Sequence, residues 1–257
     1  MSNYRIAIPS LNRSKGLGEK TLKVLNQHGI PSEVVDIFVA NDDQAQLYRK
    51  EYPDYNIVVG IIGKRAISNF IFQDYYSEGQ HIVHFDDDIE QIRFKNPRNW
   101  EDPNTFCDDE LDLKKEINIA FRECEKSGRH LWGVYPVSNP YFMKNTISYD
   151  YKFVGGWMFG VINKKSSNEC LIGDGCIDDY ERSIRHYLSD GGVVRLNYIC
   201  CKTNYGNPEG GIGSIEGRGR QESFDQLEES FAGLFTIRVK KGSKCSIGDP
   251  ILKDKRS

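Results

Sequence analysis

The first third of the chain alternates short apolar runs with stretches whose apolar residues recur at helical spacing. Residues 5–9 (RIAIP) predict a buried strand that opens into a polar loop, Ser10 to Gly18. Residues 19–28 place Leu22, Val24 and Leu25 at helical spacing before Gly29 and Pro31 stop the run. A second strand is predicted at 34–40, a helix at 44–51, and a third strand at 56–62 closed by Gly63. Residues 65–76 gather Ile67, Phe70, Ile71 and Tyr75 on one helical side. Residues 82–85 form a fourth strand that runs directly into Asp86-Asp87-Asp88. Strands alternating with helices predict an α/β, Rossmann-like architecture: a mostly parallel central sheet with helices on both faces. Such sheets bind ligands at the carboxyl ends of their strands. Three polar clusters fall at those ends, Ser10 to Arg13, Asn41 to Asp43 and Asp86 to Asp88.

The pattern loosens afterwards. Residues 94–109 are polar and without period. A helix is predicted at 111–126 from Leu113, Ile117, Ala120, Phe121 and Cys124, then a strand at 130–137. Residues 153–163, rich in glycine and aromatics, predict a pair of strands. A helix at 178–188, a core strand at 193–201, a long glycine-rich loop at 205–220, a helix at 222–233 and a strand at 234–240 complete the pattern.

Composition narrows the class. An apolar fraction of 39% marks a globular chain with a real core and not a disordered one. No apolar run approaches the roughly 20 residues that span a bilayer, and no signal-peptide core follows Met1, so no membrane association and a cytoplasmic setting are expected. The seven cysteines form no C-x-x-C pair, which predicts reduced, mostly buried thiols and no closed zinc site. A formal net charge of −3 offers no general attraction to nucleic acid. The tail is locally basic, with Lys240, Lys241, Lys244, Lys253, Lys255 and Arg256; it is either a solvated end or a phosphate contact.

Asp86-Asp87-Asp88 is the most chemically loaded feature. Adjacent carboxylates repel one another and persist at a strand end when a cation balances them. All-oxygen ligation suits Mg²⁺ or Mn²⁺, which completes its shell with water and phosphate oxygens. A surface acidic turn is the alternative. Asp178 and Asp179 open a predicted helix, where acids are favoured in any case, or else supply a general base. Trp157 beside Gly155 and Gly156 either stacks on a sugar or base or fills the core, and Trp132 and Asn139 admit the same two roles. His84, between Val83 and Phe85, reads as a core histidine.

These residues also resemble a known family. IAIPSLNR is similar to the first strand and loop of the GT-A glycosyltransferases, FVANDD to their second-strand loop, and GIIGKRAISNFI to their Gly-x-x-x-x-x-Arg-Asn stretch. HFDDDI is similar to their DxD motif, and GGWMFGVINKK with the later IDDYERSIRHYLSDGG resembles their glycine loop and acidic helix start. More narrowly, IPSLNR, DDDI, LWGVYPVSNP and GGIG resemble the TET/JBP-associated glycosyltransferases, the group that includes the base J glucosyltransferase.

The resemblance implies a single GT-A domain: a nucleotide-binding half at 1–92, an acceptor half at 93–240 and a basic tail at 241–257. It implies a UDP-sugar donor, UDP-glucose first, and a hydroxyl acceptor such as a hydroxymethylated pyrimidine in DNA, with a glycan or protein acceptor as the alternative. Pro9, Ser10, Asn12 and Arg13 would frame the nucleotide, Asn41 and Asp42 would lie near the base, and Lys64 or Arg65 would reach the diphosphate. Asp86 would reach the ribose or share the metal with Asp88, and Asp87 is the least defined of the three. Asp179, with Asp178 or Asp174 beside it, would be the base of an inverting transfer. Trp132, Asn139, Gly155, Gly156, Trp157, Arg218 and Arg220 would face sugar or acceptor. The chain departs from the family in having Ser68 where an arginine precedes Asn69, and in lacking a histidine after His186 to complete a metal shell; Asn204 is a substitute ligand. A sugar-1-phosphate nucleotidyltransferase shares sheet and metal but needs a glycine-dense first loop, which IPSLNR is not. A binding module with a dead site is the third class.

Overall fold

Tyr4–Pro9 (β1) lies at the centre of the parallel half of the sheet, and this computed structural model describes residues 4–95, 105–172, 177–203, 218–238 and 249–253. β1 is flanked on one side by Val35–Val39 (β2) and beyond it Asn56–Val59 (β3), and on the other by His81–Phe85 (β4), all parallel. Tyr4, Ile6, Ala7 and Ile8 are buried on both faces, as parallel strands covered by crossover helices must be. Those crossovers are a composite helix, Ser14–Leu17 (α1), a π-helical turn Gly18–Leu22 and Lys23–Gln27 (α2), then Asp42–Glu51 (α3), then Lys64–Asn69 (α4) continued by a π-helical turn Phe70–Tyr75. Asn41 caps α3 by accepting from the Gln44 amide at 3.0 Å.

Three differences from the sequence pattern stand out. β3 stops at Val59, and Ile61 and Ile62 are exposed beyond it. Ile89–Phe94 (β5) is a strand that the polar-looking sequence conceals, because a register shift between Ile89 and Gln91 breaks the two-residue period. Residues 153–163 contain one strand, Met158–Ile162 (β8), and not a pair. Its partners are β4 and Leu131–Tyr135 (β6), both antiparallel.

Among the described residues the sheet order is β3-β2-β1-β4-β8-β6-β9-β5, where β9 is Val194–Thr203, and the short Ile147–Ser148 (β7) also pairs with β9. Leu113–Ser127 (α5) packs Ile117, Ala120, Phe121 and Cys124 beneath it, and Gly128 ends the helix in the left-handed conformation. After Lys165–Asn168 (α6), Asp178–Asp190 (α7) and Arg218–Phe231 (α8) form a smaller cluster around Ile184, Phe224 and Leu227. A ribbon of Phe235–Arg238 (β10) and Asp249–Leu252 (β11) adds Leu234 and Phe235 to it. No helix among the described residues is long and apolar enough to cross a membrane.

The reversal at β8 positions the site. β4 leaves the sheet at the same end at which β8 enters it, with Phe85 paired to Met158, so the segment before Met158 lies against Asp86. At the opposite end of β6, Asp190 of α7 accepts from the His130 amide at 3.1 Å and from Lys164 Nζ at 2.7 Å. Asp190 stays well below the ordinary carboxylate range because His186, Lys164 and Ser189 outweigh its burial.

Asp36 is a charged residue inside a strand buried at every position. Arg5 pairs with it, with Nε at 2.9 Å; Asn56 Nδ2 donates at 2.6 Å and Tyr76 Oη at 2.6 Å. This cluster ties β1, β2, β3 and the end of the π-helical turn together. Replacing one partner of a buried pair leaves the others unpaired. Asp36→Ala is therefore expected to cost about 3 kcal/mol in chemical denaturation, and a loss below about 1 kcal/mol would show that the cluster is solvated.

Candidate functional site

The turn between β4 and β5 holds the three carboxylates, and the sequence gives each a different environment. Thr21, from the π-helical turn after α1, pins the turn from beneath: its hydroxyl donates to the Asp86 carbonyl at 2.7 Å and accepts from the Ile89 amide at 3.0 Å. The Asp86 amide donates to the Trp157 carbonyl at 2.9 Å, which fastens the turn to the segment entering β8.

Asp87 points inward. Its oxygens accept from Ser10 Oγ at 2.7 Å and Arg13 Nη1 at 3.0 Å, while Ser10 also meets Tyr48 Oη at 2.9 Å and Tyr48 Oη accepts from the Arg13 amide. Burial pushes the Asp87 carboxyl up in spite of Ser10 and Arg13. Asp87, expected among the nucleotide-binding groups, is a buried latch that fixes the loop after β1. Asn12, in that loop, has φ +55° and donates its amide to Gln44 Oε1.

Asp86 and Asp88 stay half-exposed. Asp86 Oδ1 lies 3.6 Å from Lys64 Nζ and 3.3 Å from His84 Nε2. Burial opposes its ionisation, but the Lys64 ammonium and His84 hold it below the ordinary carboxylate range. His84 is buried, as expected of a core histidine, and stacks on Phe159 at 4.7 Å. Its contact with Asp86 makes it more than filler, and burial keeps it neutral. Asp88 has Arg13 4.0 Å away, and burial with the neighbouring Asp86 and Asp87 charges pushes its carboxyl up. Among the described residues no group of three or more His, Cys, Asp or Glu side chains forms a ready metal cage. Two partly exposed carboxylates suit an ion that takes its remaining ligands from water and a diphosphate.

Asp178 and Asp179 open α7 on the facing side. A Cβ placed on Gly156 would lie 3.8 Å from that of Asp179, so the glycine pair, Trp157 and the helix start do converge. Ser183 locks them together: its hydroxyl donates to the Asp179 carbonyl at 2.7 Å and accepts from the Val154 amide at 3.0 Å. Asp178 pairs with the buried Arg182 at 3.2 Å; against burial, Lys64 and Arg182 draw its carboxyl down. Asp179 accepts from the Tyr180 amide at 2.9 Å, and burial, then the Asp178 charge, pushes its carboxyl up to about 7. The residue before the helix supplies no side-chain cap, and both acids sit in its first turn, where the helix dipole favours negative charge.

The other expected residues have varied placements. Trp132 is fully buried against Gly160, where a Cβ would collide with the indole; it belongs to the core. Arg65 sends Nη1 to the Leu171 carbonyl at 3.3 Å. Asn139 spends its side-chain oxygen on the Tyr141 amide at 3.0 Å, capping the turn Pro140–Phe142. Trp157 is half-buried, with its ring over Gly155. Pro9 ends β1 and Asp42 is exposed in the first turn of α3. Asp174, Asn204, residues 205–217 of the glycine-rich loop and the side chains of Arg218 and Arg220 lie outside the described residues, while 218–220, expected as the end of that loop, begin α8.

Two supports escaped the sequence pattern. Asn69 forms a two-way bond with the Cys170 backbone, at 2.9 and 2.8 Å, and the buried Glu181 accepts from the Leu171 and Ile172 amides at 2.9 and 3.1 Å. Both clamp the strand of chain leading to α7. Glu181 could have been found as an acid on the apolar side of an otherwise amphipathic helix.

No protein-family model and no curated protein sequence matches the chain. Solved structures do. Glucosyl-3-phosphoglycerate synthase of Mycobacterium tuberculosis, solved with Mn²⁺, uridine diphosphate and glucosyl-3-phosphoglycerate, is similar over 92% of this chain and 84% of its own, at 9% identity and a TM-score of 0.52. A protein of Desulfovibrio desulfuricans named for nucleotide-diphospho-sugar transfer overlaps 76% of this chain and 80% of its own, at 12% identity and a TM-score of 0.44. The bifunctional IspDF of Campylobacter jejuni overlaps 76% and 50%, at 10% identity and 0.41, and these last two likenesses are too loose to bear on the fold. The α/β sheet with β8 inserted antiparallel beside β4 is a GT-A fold.

Proposed function

We propose that the chain is a metal-dependent glycosyltransferase that moves a sugar from a UDP-sugar to a hydroxyl acceptor with inversion. The observation that carries this is the convergence of two carboxylate sets across Lys64: half-exposed Asp86 and Asp88 at the end of β4, and Asp178 and Asp179 at the start of α7. The fold shared with a synthase solved with Mn²⁺ and uridine diphosphate supports it.

Asp88, with Asp86, would hold Mn²⁺ or Mg²⁺, which when bound stabilises the charge of the leaving diphosphate. Lys64 adds a cation for the same charge. The loop after β1, fixed by Asp87, Ser10 and Tyr48, with Asn41 and Asp42 beyond it, frames the nucleoside. Asp179 takes the proton from the acceptor hydroxyl as that oxygen attacks the anomeric carbon; the carbon–diphosphate bond breaks on the opposite face. Asp178, held ionised by its pair with Arg182, keeps Asp179 basic. Gly156 leaves room beside Asp179 for an acceptor, and Trp157 walls that space.

The acceptor is assigned as a hydroxymethylated pyrimidine in DNA and the sugar as glucose. The resemblance of IPSLNR, DDDI, LWGVYPVSNP and GGIG to the TET/JBP-associated enzymes supports both. A base must leave the stack to reach Asp179, so single-stranded substrate is favoured.

The rate should rise with pH through about 7 and level off above it, since only ionised Asp179 accepts a proton. Asp179→Asn is expected to lower turnover about 10²–10⁴-fold and remove that acidic limb, and an unchanged pH profile would displace Asp179 from its role. Chelation should abolish transfer and Mn²⁺ restore it in the parent but not in Asp88→Ala; metal-independent transfer would refute the donor site. Radiolabelled UDP-glucose offered with a hydroxymethylcytosine oligonucleotide and with a panel of glycans should label the oligonucleotide; label on a glycan alone would reassign the acceptor while leaving the donor site intact.

A further inference from the structure

Lys64 occupies a position that a simple phosphate-binding lysine would not. The turn at Gly63, whose φ of +111° suits glycine, delivers it from the end of β3 across two strands to β4. Its ammonium stands 3.6 Å from Asp86 Oδ1, and the next negative charges acting on it are Asp178 and Asp179. The nearby cations are differently committed: Arg13 Nη1 is on Asp87 at 3.0 Å, Arg65 reaches the Leu171 carbonyl, and Arg182 is buried on Asp178. Lys64 and Asp86 keep 27% and 31% of their side-chain surfaces exposed, so this pair can exchange partners without opening the core.

Asp86 cannot serve Lys64 and a divalent cation equally. A dication at Asp86 neutralises the carboxylate and repels the ammonium, and a diphosphate beside that ion offers the ammonium new oxygens. We propose that Asp86 sequesters Lys64 in the metal-free protein, and that the divalent cation, by taking over Asp86, releases Lys64 to the diphosphate. This rests on the donor site described above. The metal then acts on diphosphate binding in two ways, by direct coordination and by freeing a protein cation. In the absence of metal, the diphosphate meets a carboxylate cluster whose nearest ammonium is already engaged.

The exchange is tested without turnover, by calorimetric titration of UDP in EDTA against the parent protein, Asp86→Asn, Lys64→Met and the double variant. Asp86→Asn should free Lys64 and tighten metal-free UDP about 5-fold or more, and the gain should vanish in the Lys64→Met background. Asp88→Asn removes a similar negative charge without freeing Lys64 and should gain less. Lys64→Arg should preserve the gain, and Lys64→Gln replaces Lys64→Met if the latter lowers the melting temperature. Equal gains with and without Lys64 would mean that Asp86 merely repels phosphate and would overturn the exchange, as would no gain at all. UDP with Mn²⁺ on the parent protein separates the two levels. Tight binding there with no coupling in the cycle sinks the exchange and leaves the donor site standing; no binding removes both.

Discussion

The structure turns on how negative charge is distributed at one end of a sheet. Five carboxylates, at 86, 87, 88, 178 and 179, cluster at the ends of β4 and α7, and the protein tolerates them by giving each a different fate. Asp87 is consumed by Ser10 and Arg13, Asp86 by Lys64 and His84, and Asp178 by Arg182. Asp88 and Asp179 carry the uncompensated remainder, and burial and neighbouring charge push both carboxyls up. Repulsion that would destabilise an ordinary surface is thus concentrated on two groups, one on each side.

That division explains why the surrounding scaffold is so heavily tied. Thr21 fixes both ends of the acidic turn, Ser183 joins the start of α7 to the chain before β8, and Asn69 and Glu181 hold the segment between. The hydroxyls of Thr21 and Ser183 and the amide of Asn69 set positions without adding charge, and Glu181 is paired with Arg185, so these ties hold the carboxylates close without neutralising them. The same economy appears away from the site, where Asp36 spends its charge on joining three strands.

Much of this was legible in the residue pattern. The parallel half follows from apolar runs ending in polar clusters, and the run at 86–88 stands out because nothing apolar interrupts it. The pairing of Gly156 with Asp179 was visible only through family resemblance, since no local period links residues so far apart. β5 was hidden by its bulge, and the separate duties of Asp86, Asp87 and Asp88 were hidden because strand spacing says which way a side chain points but not what waits there. Trp132 shows the converse. An aromatic near glycines looks the same in sequence whether it stacks on a sugar or on Gly160, and only packing separates the two.

The antiparallel insertion of β8 has a consequence for what a bound molecule does to stability. The acidic turn is held to the parallel half by contacts such as that of Ser10 with Asp87, 77 residues apart in sequence. Asp179 joins that turn because β8 slots beside β4 and α7 docks at its end. The two carboxylate sets therefore meet only in the assembled chain. A molecule that bridges them binds the folded state alone and draws the structure together by mass action.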